Sequence, residues 1–231
     1  MKKAIIAMSG GVDSSVAAHL TIEKGYQCIG ATMKLFTGRE EDSTCCSLSD
    51  IKDAKAVAHR LGMEHFVFNF TDDFDEKVIK KFINAYEIGA TPNPCIECNR
   101  YLKFEKLIRR MEELEYDYVV TGHYARIEER DGRFLLKKAV DETKDQSYVL
   151  YSMTQKQLAH TLFPLGELTK EKLDILRQAD FIFRDEMAKA KLDRKAQQFF
   201  AVMTNVKSVG VRNNARTFGY VIAIFLFQPL L

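Results

Sequence analysis

Lys3-Ala4-Ile5-Ile6-Ala7-Met8-Ser9-Gly10-Gly11-Val12-Asp13-Ser14-Ser15 is the stretch whose reading decides the fold. An apolar run ends in two glycines, and a turn rich in hydroxyls opens the amphipathic run from Val16 to Lys24. That order predicts a buried strand, a tight turn and a helix N-terminus. Glycine at positions 10 and 11 permits positive φ and removes side-chain bulk where an anion must approach closely. The first N–H groups of a helix have no intrahelical partner, so with the helix dipole they attract phosphate. Ser9, Ser14 and Ser15 are expected to add hydroxyl donors, and Asp13 to hold a magnesium ion through its oxygens. The loop is not of the Walker A type, because no Gly-Lys-Ser/Thr follows the glycines.

Outward from this turn, apolar runs and helical periodicities alternate. Strands are expected over 27–33, 65–70 and 118–121, and helices over 50–61, 72–88 and 99–114, with a polar loop over 35–47. The alternation predicts an α/β domain with a parallel sheet covered by helices on both faces. Ligands in such sheets bind beyond the carboxyl ends of the strands. The loops after Met8, Met33 and Thr121 should therefore meet at one rim. A hairpin is expected from Ala125 to Lys138, turned through Asp131-Gly132, followed by a short helix over 149–153.

The chain has 231 residues, of which 46% are hydrophobic and 29% charged, the balance of a soluble globular protein with a sizeable core. A net charge of +2 does not by itself mark a nucleic-acid binder. All 32 acidic residues lie before Ala196, and the only charges after it are Lys207, Arg212 and Arg216. Val221 to Phe227 is apolar, but a membrane-spanning helix needs about 20 such residues. The run reads as an edge strand or an aggregation-prone segment, with no membrane partner. The expected division is a catalytic domain over 1–165, then a helical extension and atypical tail over 166–231.

Five cysteines (Cys28, Cys45, Cys46, Cys95 and Cys98) with no secretory signal favour a reducing cytoplasm over a disulfide framework. Thr91-Pro92-Asn93-Pro94-Cys95-Ile96-Glu97-Cys98-Asn99 is the second informative stretch. Two prolines stiffen a loop that delivers Cys98 close to the start of a helix, where the dipole favours the thiolate. A metal or iron–sulfur half-site, a redox dithiol, a single catalytic thiol and a pair of structural cysteines all fit that spacing. His123 follows a strand end and is expected to face the rim, and Met33 to end a strand there.

The glycine turn resembles the PP-loop of ATP pyrophosphatases, which adenylate a carbonyl oxygen and release pyrophosphate. Together with Asn93 to Asn99, Thr121-Gly122-His123-Tyr124 and Lys144-Asp145-Gln146-Ser147-Tyr148, it resembles the tRNA-specific 2-thiouridylase family, in order and spacing from Lys3 to about Lys172. The resemblance implies ATP-dependent exchange of oxygen for sulfur at C2 of the wobble uridine of tRNA, with ATP and Mg²⁺ bound. It implies that Ala7, Met8, Ser9, Gly10, Gly11, Val12, Asp13 and Ser14 hold the phosphates, with Met33 and Gly122 at the adenosine. Asn93, Pro94 and Cys95 would receive the flipped-out base, and His123, Lys144, Asp145 and Gln146 would touch the tRNA. Cys98 would be the nucleophile, and a donor protein would bring sulfur as a persulfide. The base must leave its stack before its carbonyl can be reached, which suits a stiff loop beside a nucleotide site.

The family's second cysteine, in an Asp-Ser-Gln-x-Ile-Cys motif, is not matched. Asp193-Arg194-Lys195-Ala196-Gln197-Gln198 stands near its expected place, and no cysteine follows Cys98. The expectation is therefore a truncated or frame-shifted relative that binds ATP without completing sulfur transfer. Other PP-loop adenylating enzymes, such as amidotransferase-type or lysidine synthetases, need no thiol at Cys98.

Overall fold

The computed structural model describes residues 1–36, 48–168, 170–190, 198–212 and 215–227. The expected loop up to Ser47, with Cys45 and Cys46, lies mostly outside the described residues, as do Thr169 and residues 191–197 with Asp193. The chain forms two compact units, Met1–Glu167 and Leu168–Leu231.

The first unit is built on a five-stranded parallel sheet in the order β3-β2-β1-β4-β7. Its strands are β1 (Lys3–Ala7), β2 (Gln27–Lys34), β3 (His65–Asn69), β4 (Tyr118–Val120) and β7 (Thr161–Leu162). In β1, Ile5 pairs with Ile29 on one side and Val119 on the other. Ala4, Ile5 and Ile6 have no exposed surface. A strand covered on both faces has no polar side to alternate with, which is why β1 reads as a continuous apolar run. Helix α1 (Val12–Glu23) follows β1 and buries the small residues Ala17 and Ala18. Helix α2 (Leu48–Arg60) joins β2 to β3.

Two helical runs join β3 to β4. The first covers 71–87, with a π segment at Asp75–Ile79, and the second covers 94–113, with a π segment at Cys98–Lys106. Leu102, Phe104 and Leu107 of the second run join Ile5, Ile29 and Val119 in the main core. The chain places β2 and β3 on one side of β1, then β4 and β7 on the other. That reversal opens a crevice outside the carboxyl ends of β1 and β4, the place where open α/β sheets bind ligands.

An antiparallel hairpin pairs β5 (Ala125–Arg130) with β6 (Arg133–Lys138). Its turn has positive φ at both Asp131 (51°) and Gly132 (73°), as a two-residue primed turn requires. Two expectations are corrected. The helix expected over 149–153 is a single 3₁₀ turn, Ser147–Val149, and the regular helix starts only at Gln155. There Thr154 and Gln157 form a reciprocal capping box. Strand β7 was not expected, because two residues are too few to carry a strand period.

The second unit consists of a helix, Lys170–Lys189, and an antiparallel pair, β8 (Gln198–Arg212) and β9 (Ala215–Phe227). The apolar run Val221 to Phe227 lies within β9. Among the described residues no helix is long and apolar enough to cross a membrane.

Candidate active site

The turn between β1 and α1 is held by its neighbours. Gly10 has φ +79°, and a Cβ there would stand 2.6 Å from the carbonyl oxygen of Asp50. Gly11 is the extended N-cap of α1 and provides no side-chain cap, so the first-turn N–H groups receive none. Ser14 and Ser15 each donate a hydroxyl to the Gly11 carbonyl at 2.9 Å. Ser9 N–H donates to Ser14 Oγ at 3.2 Å. A hydroxyl has one proton, so the expected role of Ser14 and Ser15 as donors to a ligand changes here: they set the shape of the loop. Residue 8 is fixed from below, because Thr32 on β2 donates its hydroxyl to the Met8 carbonyl at 2.8 Å. Thr32 is fully buried, and its hydroxyl also lies 2.9 Å from His65 Nε2. Burial, then the charge of Lys55, lowers the pKa of His65. Sequence reading missed this pair, since only the parallel register of β2 brings Thr32 under the loop.

The loop after β4 meets the loop after β1. A Cβ on Gly122 would lie 2.9 Å from both the Asp13 carbonyl carbon and the Ser14 nitrogen, so only glycine lets the two backbones touch. Two residues on, the Tyr124 hydroxyl reaches Oδ1 of Asp13 at 3.4 Å. Asp13, Ser14, Gly122 and Tyr124 are thus brought together from the loops after β1 and β4, while the loop after Met33 lies mostly outside the described residues. Met33 lies at the end of β2 as expected, with its side chain turned into the core, whereas His123 is not placed as expected. Met33 is packed in the main core with 6% of its surface exposed. The His123 ring is turned inward between Phe104 and Phe163, with Nδ1 2.7 Å from Thr121 Oγ1. Burial and the nearby charge of Lys103 push its pKa well below 6.5.

Residues 144–146 sit directly behind Tyr124. Gln146 Oε1 accepts the Tyr124 N–H at 3.1 Å, and the Gln146 N–H donates to the Tyr124 carbonyl at 2.9 Å. Asp145 accepts the N–H of Ala139 at 2.9 Å and the hydroxyl of Ser147 at 2.7 Å. Burial works to raise the Asp145 pKa, but the bonds from Ser147 and Ala139 outweigh it and hold the carboxyl below its ordinary range. Beside these residues Tyr148 and Tyr151 are 61% and 69% exposed.

The thiol stretch is helical from Pro94 onward. Asn93 is the N-cap, and its side-chain oxygen accepts the Cys95 N–H at 3.0 Å. Cys95 is exposed, whereas Cys98 is half-buried against the core. This corrects the placement of Cys98 at the helix start. Asn93-Pro94 is a cap followed by a first-turn proline, so Cys98 lies beyond the first turn, where the dipole's influence has faded. Asn99, buried next to it, donates to the Val149 carbonyl at 3.2 Å and so ties this helix to the 144–149 segment. A cavity of about 270 Å³ lies alongside, lined by Phe82, Pro92, Asn93, Pro94, Glu97 and Tyr151 among others. Cys28 is a half-buried strand residue whose thiol burial pushes up to about 11. Among the described residues no three or more His, Cys, Asp and Glu side chains cluster as a metal site.

A family model described as tRNA methyl transferase HUP domain matches residues 2–206. A second, described as GMP synthase C terminal domain, matches residues 185–228, a span that includes β8 and β9. The tRNA-specific 2-thiouridylase MnmA of Clostridium acetobutylicum is 53% identical over 176 residues, covering 74% of this chain and 50% of the relative. That of Halothermothrix orenii is 49% identical over 189 residues, covering 80% and 52%. The chain spans about half the length of these curated relatives. A solved structure described as a predicted subunit of tRNA methyltransferase from Methanocaldococcus jannaschii aligns with a TM-score of 0.47 at 17% identity, covering 78% of this chain and 76% of that one.

Proposed function

The chain belongs to the tRNA methyl transferase HUP domain family, and from that premise we propose that its first unit binds ATP and tRNA and activates C2 of the wobble uridine for thiolation. The single observation carrying this reading is the contact of Gly122 with the backbone of Asp13 and Ser14, which makes one site of the loops after β1 and β4. It falls within a chain 53% identical to a tRNA-specific 2-thiouridylase over 176 residues.

The residues present fit ATP. Gly10 and Gly122 let the loop pack closely against the backbone of Asp50 and of Asp13 and Ser14, and the uncapped first turn of α1 offers N–H groups to phosphate. ATP supplies, when bound, the adenylyl group that turns the uracil O2 into a leaving group. Ala7 and Met8 end the strand that aims the loop, and Ser9 and Val12, both exposed, flank the phosphates. Asp13 would hold Mg²⁺ through its carboxylate oxygens. With Met33 in the core, the adenosine rests on its strand's backbone and on Gly122. Asn93, Pro94 and Cys95 present the stiff edge against which the extruded base docks. Cys98, as thiolate, attacks the inner sulfur of the donor's persulfide, forming a disulfide with the donor and freeing hydrosulfide that adds at C2 as AMP departs; its activation must come from the bound state rather than from the helix dipole. Lys144, with Tyr148 and Tyr151, meets the RNA, while Asp145, Gln146 and His123 shape that surface from within. A persulfide-bearing donor protein delivers sulfur in the reducing cytoplasm. Cys95 and Cys98 would supply two of the four ligands an iron–sulfur cluster takes, and among the described residues no third His, Cys, Asp or Glu joins them.

Pyrophosphate release with and without bulk tRNA tests the reading. The expected result is release that depends on tRNA, with Cys98→Ala keeping the first turnover of release but forming no 2-thiouridine. Release without tRNA, or full activity of Cys98→Ala, favours another PP-loop adenylating enzyme. A second reading, activation without completed sulfur transfer, is favoured by the lack of any cysteine after Cys98 within these 231 residues. Mass spectrometry of tRNA from a complemented deletion strain decides it, since restored 2-thiouridine refutes the incomplete reaction.

A further inference from the structure

Asp13 lies in the nucleotide loop, and residues 144–146 lie in the segment assigned above to RNA. The two are bridged by one side chain. Tyr124 is almost wholly buried, with 5% of its surface exposed. Its backbone is gripped from both directions by Gln146, which accepts its N–H and donates to its carbonyl. Its hydroxyl, at the other end of the ring, faces Asp13 Oδ1. Asp145 stiffens the segment by bonding Ala139, just past β6, and Ser147 in the following turn. The Asn99 bond to Val149 anchors the far end of the segment to the thiol-bearing helix.

We propose that Tyr124 is a positioning residue that couples the 144–146 segment to Asp13, so that RNA on one and nucleotide on the other strengthen each other. The physical reason is the length of the last link. At 3.4 Å the hydroxyl-to-carboxylate distance is beyond the usual 2.5–3.0 Å of O–H···O bonds. A displacement of the clamped segment by well under 1 Å therefore makes this bond short or removes it. The hydroxyl then grips or releases the carboxylate that would receive the metal, according to whether the RNA surface is occupied. Such coupling is reciprocal: whatever factor RNA adds to nucleotide affinity, nucleotide adds to RNA affinity. The inference rests on the proposed reading of the two ligands and adds the device that joins them.

The test uses the full chain and a labelled anticodon stem-loop RNA, titrated by fluorescence anisotropy with and without saturating Mg²⁺ and α,β-methylene-ATP. In the parent protein the nucleotide is expected to tighten RNA binding by roughly fivefold or more. Tyr124→Phe keeps the ring and its packing, and is expected to keep each separate affinity while the coupling factor drops to about one. A purely structural tyrosine would leave that factor unchanged, and this result overturns the proposal. Hydrogen exchange on the parent protein gives a second readout: RNA alone is expected to slow exchange over residues 9–15, and no change there also overturns the proposal. If RNA and analogue both bind the parent without mutual effect, the coupling falls and the proposed function stands. If no RNA binds, both fall.

Discussion

His123 Nδ1 lies 2.7 Å from Thr121 Oγ1, in a pocket closed by the rings of Phe104 and Phe163. The pair fixes the two residues on either side of Gly122, and so holds the backbone that touches Asp13 and Ser14. This buried imidazole makes the site's stability depend on pH. Burial first, then Lys103, places its folded-state pKa well below 6.5. The unfolded chain therefore binds more protons between those two values. The stabilisation is complete above pH of about 6.5 and is lost as pH falls below it, by up to about 1.4 kcal/mol per pH unit. Urea melts from pH 7.5 to 5 should show this slope, and His123→Gln should flatten it.

Gly122→Ala places a methyl group 2.9 Å from the backbone of Asp13 and Ser14. Overpacking against backbone costs about 1–3 kcal/mol. A fall in melting temperature with a matching loss of ATP affinity by calorimetry is expected. A variant as stable as the parent would mean that the loops do not meet.

Gly11→Ala makes a contrasting case. Gly11 has an ordinary φ of −78°, and the nearest neighbour of an added Cβ, Ser9 Oγ, is at 3.5 Å. Stability should change by less than about 1 kcal/mol. Any large loss of nucleotide affinity in this variant then reports a ligand that approaches the backbone here. Unchanged affinity places the phosphates elsewhere.

Thiol labelling should follow exposure and charge state. Cys95 is exposed and should react first with iodoacetamide at pH 8, with half-buried Cys98 slower. Cys28, pushed up to about 11, presents roughly one thiolate in a thousand at that pH and should be spared. Peptide mass spectrometry reads the order directly, and early labelling of Cys28 would contradict its burial in β2.

Thr32→Val removes the hydroxyl that holds the Met8 carbonyl and contacts His65. Leaving that carbonyl unsatisfied under the loop costs about 1–3 kcal/mol. Thermal melts should show the loss, and nucleotide affinity should weaken because the strand end that aims the loop is no longer pinned. A melt unchanged from the parent would remove Thr32 from the site.

Local chemistry wrote the first half of this architecture into the sequence. A strand covered on both faces must be apolar throughout, as Ala4 to Ala7 are, and a chain that turns sharply into a helix needs glycine at position 10. The hairpin turn at Asp131-Gly132 was legible for the same reason, since it is set by residues adjacent in the chain. What needed the tertiary structure was every feature made by residues distant in sequence. Parallel register alone puts Thr32 under Met8, and only the folded sheet brings Tyr124 to Asp13 across 111 positions. Burial reversed one sequence expectation, since the His123 ring faces the core. Periodicity reports which residues lie on a face, whereas the packing of Phe104 and Phe163 decides where a ring at the end of a strand can turn.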